Sequence, residues 1–231
     1  MPHEEPFTIS LLEVELGSFE GPSQTVLLRT NQGEIHARLH RPENAGDAGI
    51  VWVGGAGGGL SGPARGLYPR LAQQLTSAGL TSLRVDYRRP NDLLHCTLDT
   101  LLGAAYLEGL GCSRLVLVGH SFGGAVVITA GANSEAVVGV AALSSQTYGT
   151  DAVGDLSPRA LLLLHGSADE ILPDRCSRLL FKHARDPKEV HLYPGCGHGL
   201  DECRAEVDRD LLNWLSRLLT SGQDGLASAA P

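Results

Sequence analysis

Gly119-His120-Ser121-Phe122-Gly123 is a G-x-S-x-G pentapeptide near the middle of the chain. The residues before it, 114–118, read Arg-Leu-Val-Leu-Val and predict a short buried strand. The residues after it, 124–131, are small and apolar and predict a tightly packed helix. A strand, a sharp turn and a helix in this order are the context in which the pentapeptide forms a nucleophile elbow, with the serine Oγ exposed at its tip.

The two glycines of the pentapeptide support this interpretation. A serine at the tip of such a turn takes a strained backbone conformation, and side chains at 119 and 123 would collide with the strand and the helix. The chain contains 29 glycines, so chance, or a tight turn with a capping serine, is the alternative explanation. Whether Ser121 is a nucleophile therefore depends on whether the chain also supplies the base and the acid that this chemistry requires.

The rest of the chain predicts one α/β domain over residues 1–219 and a small, polar, fraying tail over 220–231. Alternating strands and helices imply right-handed crossovers and a mostly parallel mixed sheet with helices on both faces. The apolar run Leu161 to Leu164 is typical of a parallel strand buried on both sides. Predicted strands cover 11–16, 25–29, 34–40, 50–53, 81–87, 115–118, 137–143, 160–164 and 189–193, and further helices cover 68–78, 92–107, 174–183 and 201–219.

A nucleophilic serine needs a base, and the base needs an acid that orients it. Asp169 follows the predicted strand that ends at Leu164, and His198 lies between glycines after the strand that ends at Tyr193. Active sites collect at the carboxyl ends of parallel strands, and the order Ser121, Asp169, His198 is that of a known hydrolase triad. We therefore predict these three as catalytic residues. Alternatives are Glu170 and Asp174 for the acid and His120 and His165 for the base.

The glycine-rich segment Gly54 to Gly59 follows another predicted strand and is a candidate oxyanion hole. Such a hole needs backbone N–H groups that converge on one point, and glycine adopts the conformations this requires. We predict the N–H groups of Phe122 and Ala56 as the two donors. Gly55, Gly57 and His120 are candidate substrate contacts.

The same segment supports a rival hypothesis. Residues Gly57 to Gly62 match G-x-G-x-x-G, and Asp86 ends the next predicted strand, as in a dinucleotide-binding fingerprint. Pro63 follows at once and Pro69 soon after, so we expect no helix to open cleanly at the third glycine. A nucleotide-dependent oxidoreductase is thus the weaker alternative.

The composition limits the partners. A net charge of −8 and the absence of a basic run predict no nucleic-acid partner and no attraction to a membrane surface.

No secretory signal or long apolar segment is visible, and the five cysteines form no C-x-x-C pair, so we expect reduced thiols in the cytoplasm. His191, Cys196 and Cys203 match no zinc spacing, so we expect free thiols there, no metal and no cofactor. The sequence does not distinguish a monomer from a homodimer.

From about Glu34 to Leu219 the chain resembles the α/β-hydrolase superfamily. Residues 119–124 look like its nucleophile elbow, His165-Gly-x-x-Asp169 followed by Pro173 looks like its acid motif, and Gly195-x-Gly-His198 looks like its histidine loop. Residues 86–88, Asp-Tyr-Arg, look like the segment after its fourth strand. Many members have His-Gly before the oxyanion loop, whereas this chain has Gly54-Gly55, which leaves the second donor open.

The segment Ser144 to Arg159 is too short for the helical lid that many members insert there. The resemblance therefore implies a compact, lidless hydrolase of the dienelactone-hydrolase or small-esterase type without a cap domain, although the dienelactone-hydrolase nucleophile is a cysteine and position 121 is serine. The loop 57–67 is the segment that could cover the site. Two roles are open for the arginines of the neighbouring loops: they hold an acidic group of the substrate, or they are solvated. These are Arg65, Arg88 and Arg89.

These observations predict a serine hydrolase of carboxylesterase type that cleaves ester or thioester bonds of small soluble molecules through an acyl-enzyme. A hydrolase-like scaffold that binds small molecules or partners without turnover is the second hypothesis.

Overall fold

The computed structural model describes residues 8–219, so the predicted tail over 220–231 lies outside the described residues. The strands are β1 (Leu11–Glu20), β2 (Ser23–Thr30), β3 (Gly33–His40), β4 (Ala48–Val53), β5 (Thr81–Asp86), β6 (Arg114–His120), β7 (Val137–Leu143), β8 (Ala160–Gly166) and β9 (Lys188–Tyr193). The helices are α1 (Pro63–Thr76), α2 (Leu93–Gly109), α3 (Phe122–Ala132), α4 (Arg175–His183) and α5 (Arg204–Leu219).

The strands form one nine-stranded sheet in the order β1-β2-β3-β5-β4-β6-β7-β8-β9. The first three strands and the β3–β5 pair are antiparallel, while the pairs from β5 through β4 to β9 are parallel. The predicted mixed, mostly parallel sheet is confirmed. Strand β1 extends four residues beyond the predicted end because it pairs with β2 up to the turn at Gly21, whose φ is +60°.

Helices cover both faces of the sheet. Alternate residues of β4 point to opposite sides: Ile50 and Trp52 pack in the layer that contains α1 and α5, and Val51 packs in the layer that contains α2, α3 and α4. Every residue of β4 is buried, as a strand covered on both faces requires.

Helix α1 begins at Pro63, earlier than the predicted start at Tyr68. Ala64, Arg65 and Gly66 have φ of +49°, +54° and +83°, so the first turn is not regular α-helix. The expectation that no helix opens cleanly after Gly62 therefore agrees with the backbone.

The connection between β7 and β8 contains one short 3-10 helix, Asp151–Asp155, and no inserted domain. The described residues therefore contain no cap domain between these two strands, as predicted. Within residues 8–219, no helix combines the length and the apolar character that a membrane span needs.

Candidate active site

Ser121 lies in the sharp turn between β6 and α3, with φ +58° and ψ −119°. This is a strained conformation for a residue with a side chain. Cβ atoms on the flanking glycines would meet backbone: one at Gly119 would lie 2.1 Å from the Gly123 oxygen, and one at Gly123 would lie 2.2 Å from the Gly54 oxygen. The turn thus has the geometry that the pentapeptide predicts.

The three predicted catalytic residues meet at the carboxyl edge of the sheet. The Ser121 hydroxyl lies 3.0 Å from His198 Nε2, and His198 Nδ1 lies 2.7 Å from Asp169 Oδ2. Because the carboxylate oxygen can only accept, His198 Nδ1 carries the hydrogen and Nε2 is free to accept from the serine. The imidazole is therefore held in the tautomer that a general base needs.

Asp169 is buried, and its side chain has no solvent exposure. Its Oδ1 accepts from the N–H groups of Ile171 and Leu172 at 2.9 and 2.8 Å. Burial alone would raise the pKa of this carboxyl, but the hydrogen bonds from His198, Leu172 and Ile171 outweigh it and hold the pKa below its ordinary value. Asp169 is thus an ionised orienting group at neutral pH.

The two alternative acids lie elsewhere in the loop. Asp174 forms an ion pair with Arg178 at 3.0 Å on the surface of α4, and Glu170 is exposed. The carboxylate that contacts His198 belongs to Asp169.

His120, a predicted substrate contact, bonds to the backbone of the histidine loop. Its Nε2 donates to the carbonyl oxygen of His198 at 2.9 Å, and the two rings lie 4.8 Å apart. Burial lowers the pKa of His120 to about 4, so its ring is neutral at pH 7. A neutral His120 places no positive charge beside the imidazole that must accept a proton.

The expectation of free thiols in the histidine loop is wrong. Cys196 and Cys203 form a disulfide, whereas Cys96, Cys112 and Cys176 are free and buried. The short loop through His198 brings the two sulfurs together, which spacing along the chain does not show. The bonded pair removes the cysteine argument for a reducing compartment and leaves these sulfurs unavailable to zinc.

His165, considered as an alternative base, is fully buried and contacts Asp169 rather than Ser121. Its Nε2 lies 3.1 Å from Asp169 Oδ2 and 2.8 Å from the Leu172 carbonyl oxygen. Sequence reasoning missed this supporting position, although the spacing His165-Gly-x-x-Asp169 was the available signal.

The glycine-rich loop lies directly against the elbow. A Cβ on Gly55 would lie 3.5 Å from the Ser121 Cβ, so this backbone approaches the serine closely. Gly58 N–H bonds to the Gly55 oxygen at 3.0 Å, and Gly59 N–H bonds to Asp86 Oδ1 at 2.7 Å. Asp86 therefore anchors the loop, a role that differs from the nucleotide-binding acid of the rival hypothesis.

The predicted donors occupy suitable elements. Phe122 is the first residue of α3, where a backbone N–H has no partner within the helix. Ala56 and Gly57 are exposed in the loop beside the elbow. Their roles as donor and substrate contact remain predictions.

Arg88 does not serve as a substrate-binding cation. Its side chain is 4% exposed, and its guanidinium donates to Asp99 Oδ1 at 2.6 Å and to the Gln32 carbonyl oxygen at 2.9 Å. Arg88 and Asp99 therefore form a buried ion pair. Arg89 and Arg65 are exposed, and the Arg65 N–H bonds to Asp201 Oδ1 at 3.0 Å.

The loop 57–67 is tied to the segment that follows His198. The Ala64 N–H donates to the Gly199 oxygen at 2.7 Å, beside the Arg65 bond to Asp201. These bonds join the start of α1 to the histidine loop. Among residues 8–219, no group of three or more His, Cys, Asp or Glu side chains is placed to hold a metal ion.

Comparison with solved structures identifies the fold as that of the α/β hydrolases. An α/β serine hydrolase homologue from Coxiella burnetii superposes with a TM-score of 0.72 at 18% identity, covering 86% of this chain and 100% of that one. A dienelactone hydrolase from Anabaena variabilis superposes with a TM-score of 0.73 at 18% identity, covering 85% of this chain and 99% of that one. The lidless serine hydrolase XC6422 from Xanthomonas campestris superposes with a TM-score of 0.67 at 19% identity, covering 92% of this chain and 99% of that one.

Sequence comparison is less specific. The uncharacterized protein YfhR from Escherichia coli K12 is 30% identical in an alignment of length 129 that covers 46% of this chain and 45% of YfhR. The chain spans about half the length of the curated relatives it matches. No protein-family model matches.

Proposed function

We propose that the protein is a serine hydrolase of carboxylesterase type that cleaves ester or thioester bonds of small molecules. The observation that carries the proposal is the His198 ring, which lies 3.0 Å from Ser121 Oγ on one side and 2.7 Å from Asp169 Oδ2 on the other. The structural likeness to hydrolases, including a lidless one, supports the same class.

In the proposed reaction, each of the three residues Ser121, His198 and Asp169 has its own task. His198 Nε2 takes the hydroxyl proton as Ser121 Oγ attacks the acyl carbon, and Asp169 stabilises the imidazolium that forms. The tetrahedral intermediate collapses when His198 returns the proton to the leaving alcohol or thiol, which leaves an acyl-enzyme on Ser121. Water then gives a proton to His198 and attacks the acyl carbon. His198 returns that proton to Ser121 Oγ as the bond between Oγ and the acyl carbon breaks, which releases the carboxylic acid and restores the free serine.

The negative oxygen of the intermediate needs donors that are already in place. Phe122 N–H at the start of α3 is one, and an N–H of the loop beside Gly55, with Ala56 first, is the other. Loss of one such donor typically lowers kcat by about 10²–10³-fold. The strained Ser121 turn and the glycine contacts keep both segments fixed before substrate arrives.

A fluorophosphonate probe tests the nucleophile. We expect one label per wild-type chain, and none on Ser121→Ala. Ser113→Ala is the matched control because Ser113 precedes the amino end of β6 and Ser121 follows its carboxyl end. Failure of the wild type to react, or continued reaction of Ser121→Ala, would contradict the proposal.

A panel of esters and thioesters with graded acyl length tests turnover in the same three proteins. We expect Ser113→Ala to match the wild type and Ser121→Ala to lose activity. Labelling of Ser121 without turnover of any member of the panel would favour the non-catalytic binding scaffold.

A further inference from the structure

His165 is placed to support the acid of the triad and makes no contact with the serine. It lies in β8, four residues before Asp169, and its side chain has no solvent exposure. Asp169 Oδ2 is shared: His198 Nδ1 lies 2.7 Å from it and His165 Nε2 lies 3.1 Å from it. Two histidines from different segments therefore converge on one carboxylate oxygen.

The surroundings of His165 determine which ring nitrogen carries a hydrogen. The Leu172 carbonyl oxygen, 2.8 Å from Nε2, can only accept, so Nε2 carries a hydrogen that points toward Leu172 and Asp169. On the other side, Ser177 Oγ lies 2.7 Å from Nδ1. Ser177 is a buried residue of α4, and its hydroxyl donates to Nδ1 when that nitrogen is unprotonated.

We propose that His165 and Ser177 are positioning residues that hold Asp169 in the orientation required by His198. Ser177 orients the His165 ring, the ring donates to Asp169 Oδ2, and Asp169 in turn orients His198. This inference rests on the proposed hydrolase function, because orientation of His198 matters only if that ring transfers protons. It assigns a role to two buried polar residues that the reaction steps do not use.

The geometry explains why a backbone anchor alone is insufficient. The N–H groups of Ile171 and Leu172 both bond to Oδ1, so Oδ2 would be free to turn about that anchor. His165 supplies the second fixed point, on the oxygen that faces His198. A carboxylate held at both oxygens is preorganised. Removal of a residue that orients a metal-binding side chain typically costs about 10–100-fold in affinity or activity, and we expect a loss of similar size for a residue that orients Asp169.

Variants at both positions test the chain of contacts. We expect Ser177→Ala and His165→Leu to lower kcat, counted per fluorophosphonate-reactive site, with KM nearly unchanged, and His165→Leu to show the larger loss of roughly 10–100-fold. His165→Gln keeps an N–H donor near the position of Nε2 and should recover part of the loss. Ser82→Ala is the control, since Ser82 is an equally buried serine on β5.

Proton NMR gives a readout that needs no turnover. The His198 Nδ1 proton bonded to Asp169 should give a low-field resonance that shifts in Ser177→Ala and His165→Gln and stays in place in Ser82→Ala. An unshifted resonance with kcat per site within twofold of wild type in Ser177→Ala and His165→Gln would overturn the inference, even if His165→Leu fails to fold. Absence of wild-type turnover and labelling would instead contradict the hydrolase proposal.

Discussion

The disulfide between Cys196 and Cys203 brackets His198, which lies two residues after the first cysteine and five before the second. The same loop is anchored at Gly197, whose N–H bonds to Glu202 Oε2 at 3.0 Å, and at the Cys196 oxygen, which accepts from the Ala168 N–H at 2.9 Å. The segment with the proposed base is therefore joined covalently to the start of α5 and by a hydrogen bond to the loop that carries Asp169.

Removal of this disulfide should lower stability and activity together. For a loop of this length, the loss of the cross-link is expected to reduce the free energy of unfolding by about 2 kcal/mol. We expect the Cys196→Ser/Cys203→Ser variant to show this loss in urea unfolding, with a lower kcat. A thiol reductant should reproduce both effects in the wild type and have no effect on the double variant; equal sensitivity of the two proteins would contradict the prediction.

Asp169→Asn should lower kcat by roughly 10⁴-fold with little change in the fold, because an amide in place of the carboxylate favours the wrong His198 tautomer. Steady-state kinetics on a short acyl ester measures the effect. Asp174→Asn is the matched control, since Asp174 pairs with Arg178 on the surface. Comparable losses in the two variants would argue against Asp169 as the orienting acid.

Gly123→Ala should destabilise the elbow. The added Cβ would lie 2.2 Å from the Gly54 oxygen and 3.1 Å from the Val53 oxygen, and both are backbone atoms that cannot rotate away. We expect a loss of about 1–3 kcal/mol in unfolding free energy and reduced probe labelling. Gly109→Ala, where no atom lies within 4 Å of the added Cβ, should be tolerated. A Gly123→Ala protein as stable and reactive as wild type would show that the two loops are not tightly packed.

The free energy of unfolding should fall as the pH drops from about 6.5 toward about 4. Burial lowers the pKa of His40 to about 4, assisted by the Arg84 charge, and burial does the same for His120, against an ordinary value of 6.5. The unfolded chain therefore binds protons in this window that the folded chain excludes, so stability is full above it and decreases as pH falls. Urea unfolding across this range measures the slope. His40→Asn should flatten it, and a curve parallel to the wild type would contradict the assignment.

Arg88→Met should destabilise the fold without changing recognition of substrate. The Asp99 side chain has no exposure, and loss of its cation leaves a buried carboxylate unpaired, which typically costs about 3–5 kcal/mol. Thermal unfolding measures the loss, and Arg88→Met/Asp99→Leu should recover part of it. KM for an ester with an acidic acyl group, measured well below the unfolding temperature, should match the wild type. A selective rise in KM for the acidic ester would restore Arg88 as a substrate contact.

Much of the architecture could be predicted because its signals are local. The apolar run at Leu161–Leu164 specifies a strand covered on both faces, and the glycines at 119 and 123 specify a turn in which side chains have no room. The expectations that failed concerned side-chain pairings, namely the Cys196–Cys203 disulfide and the Arg88–Asp99 ion pair. Arg88 carries the same local signal as a solvated or substrate-binding arginine, and its pairing with Asp99 depends on how α2 packs against the sheet.

The sequence by itself determined the fold class, the strained position of Ser121 and the order of the three candidate catalytic residues, because backbone sterics and hydrophobic periodicity act over a few residues. Only the tertiary structure decided which carboxylate reaches His198, that Cys196 and Cys203 are bonded, and that His165 lies behind Asp169. The contact between Asp169 and His198 joins residues 29 positions apart, and the other two pairs are brought together by the folding of their own loops. The contact between Asp169 and His198 forms only after the sheet brings the ends of β6, β8 and β9 to one edge.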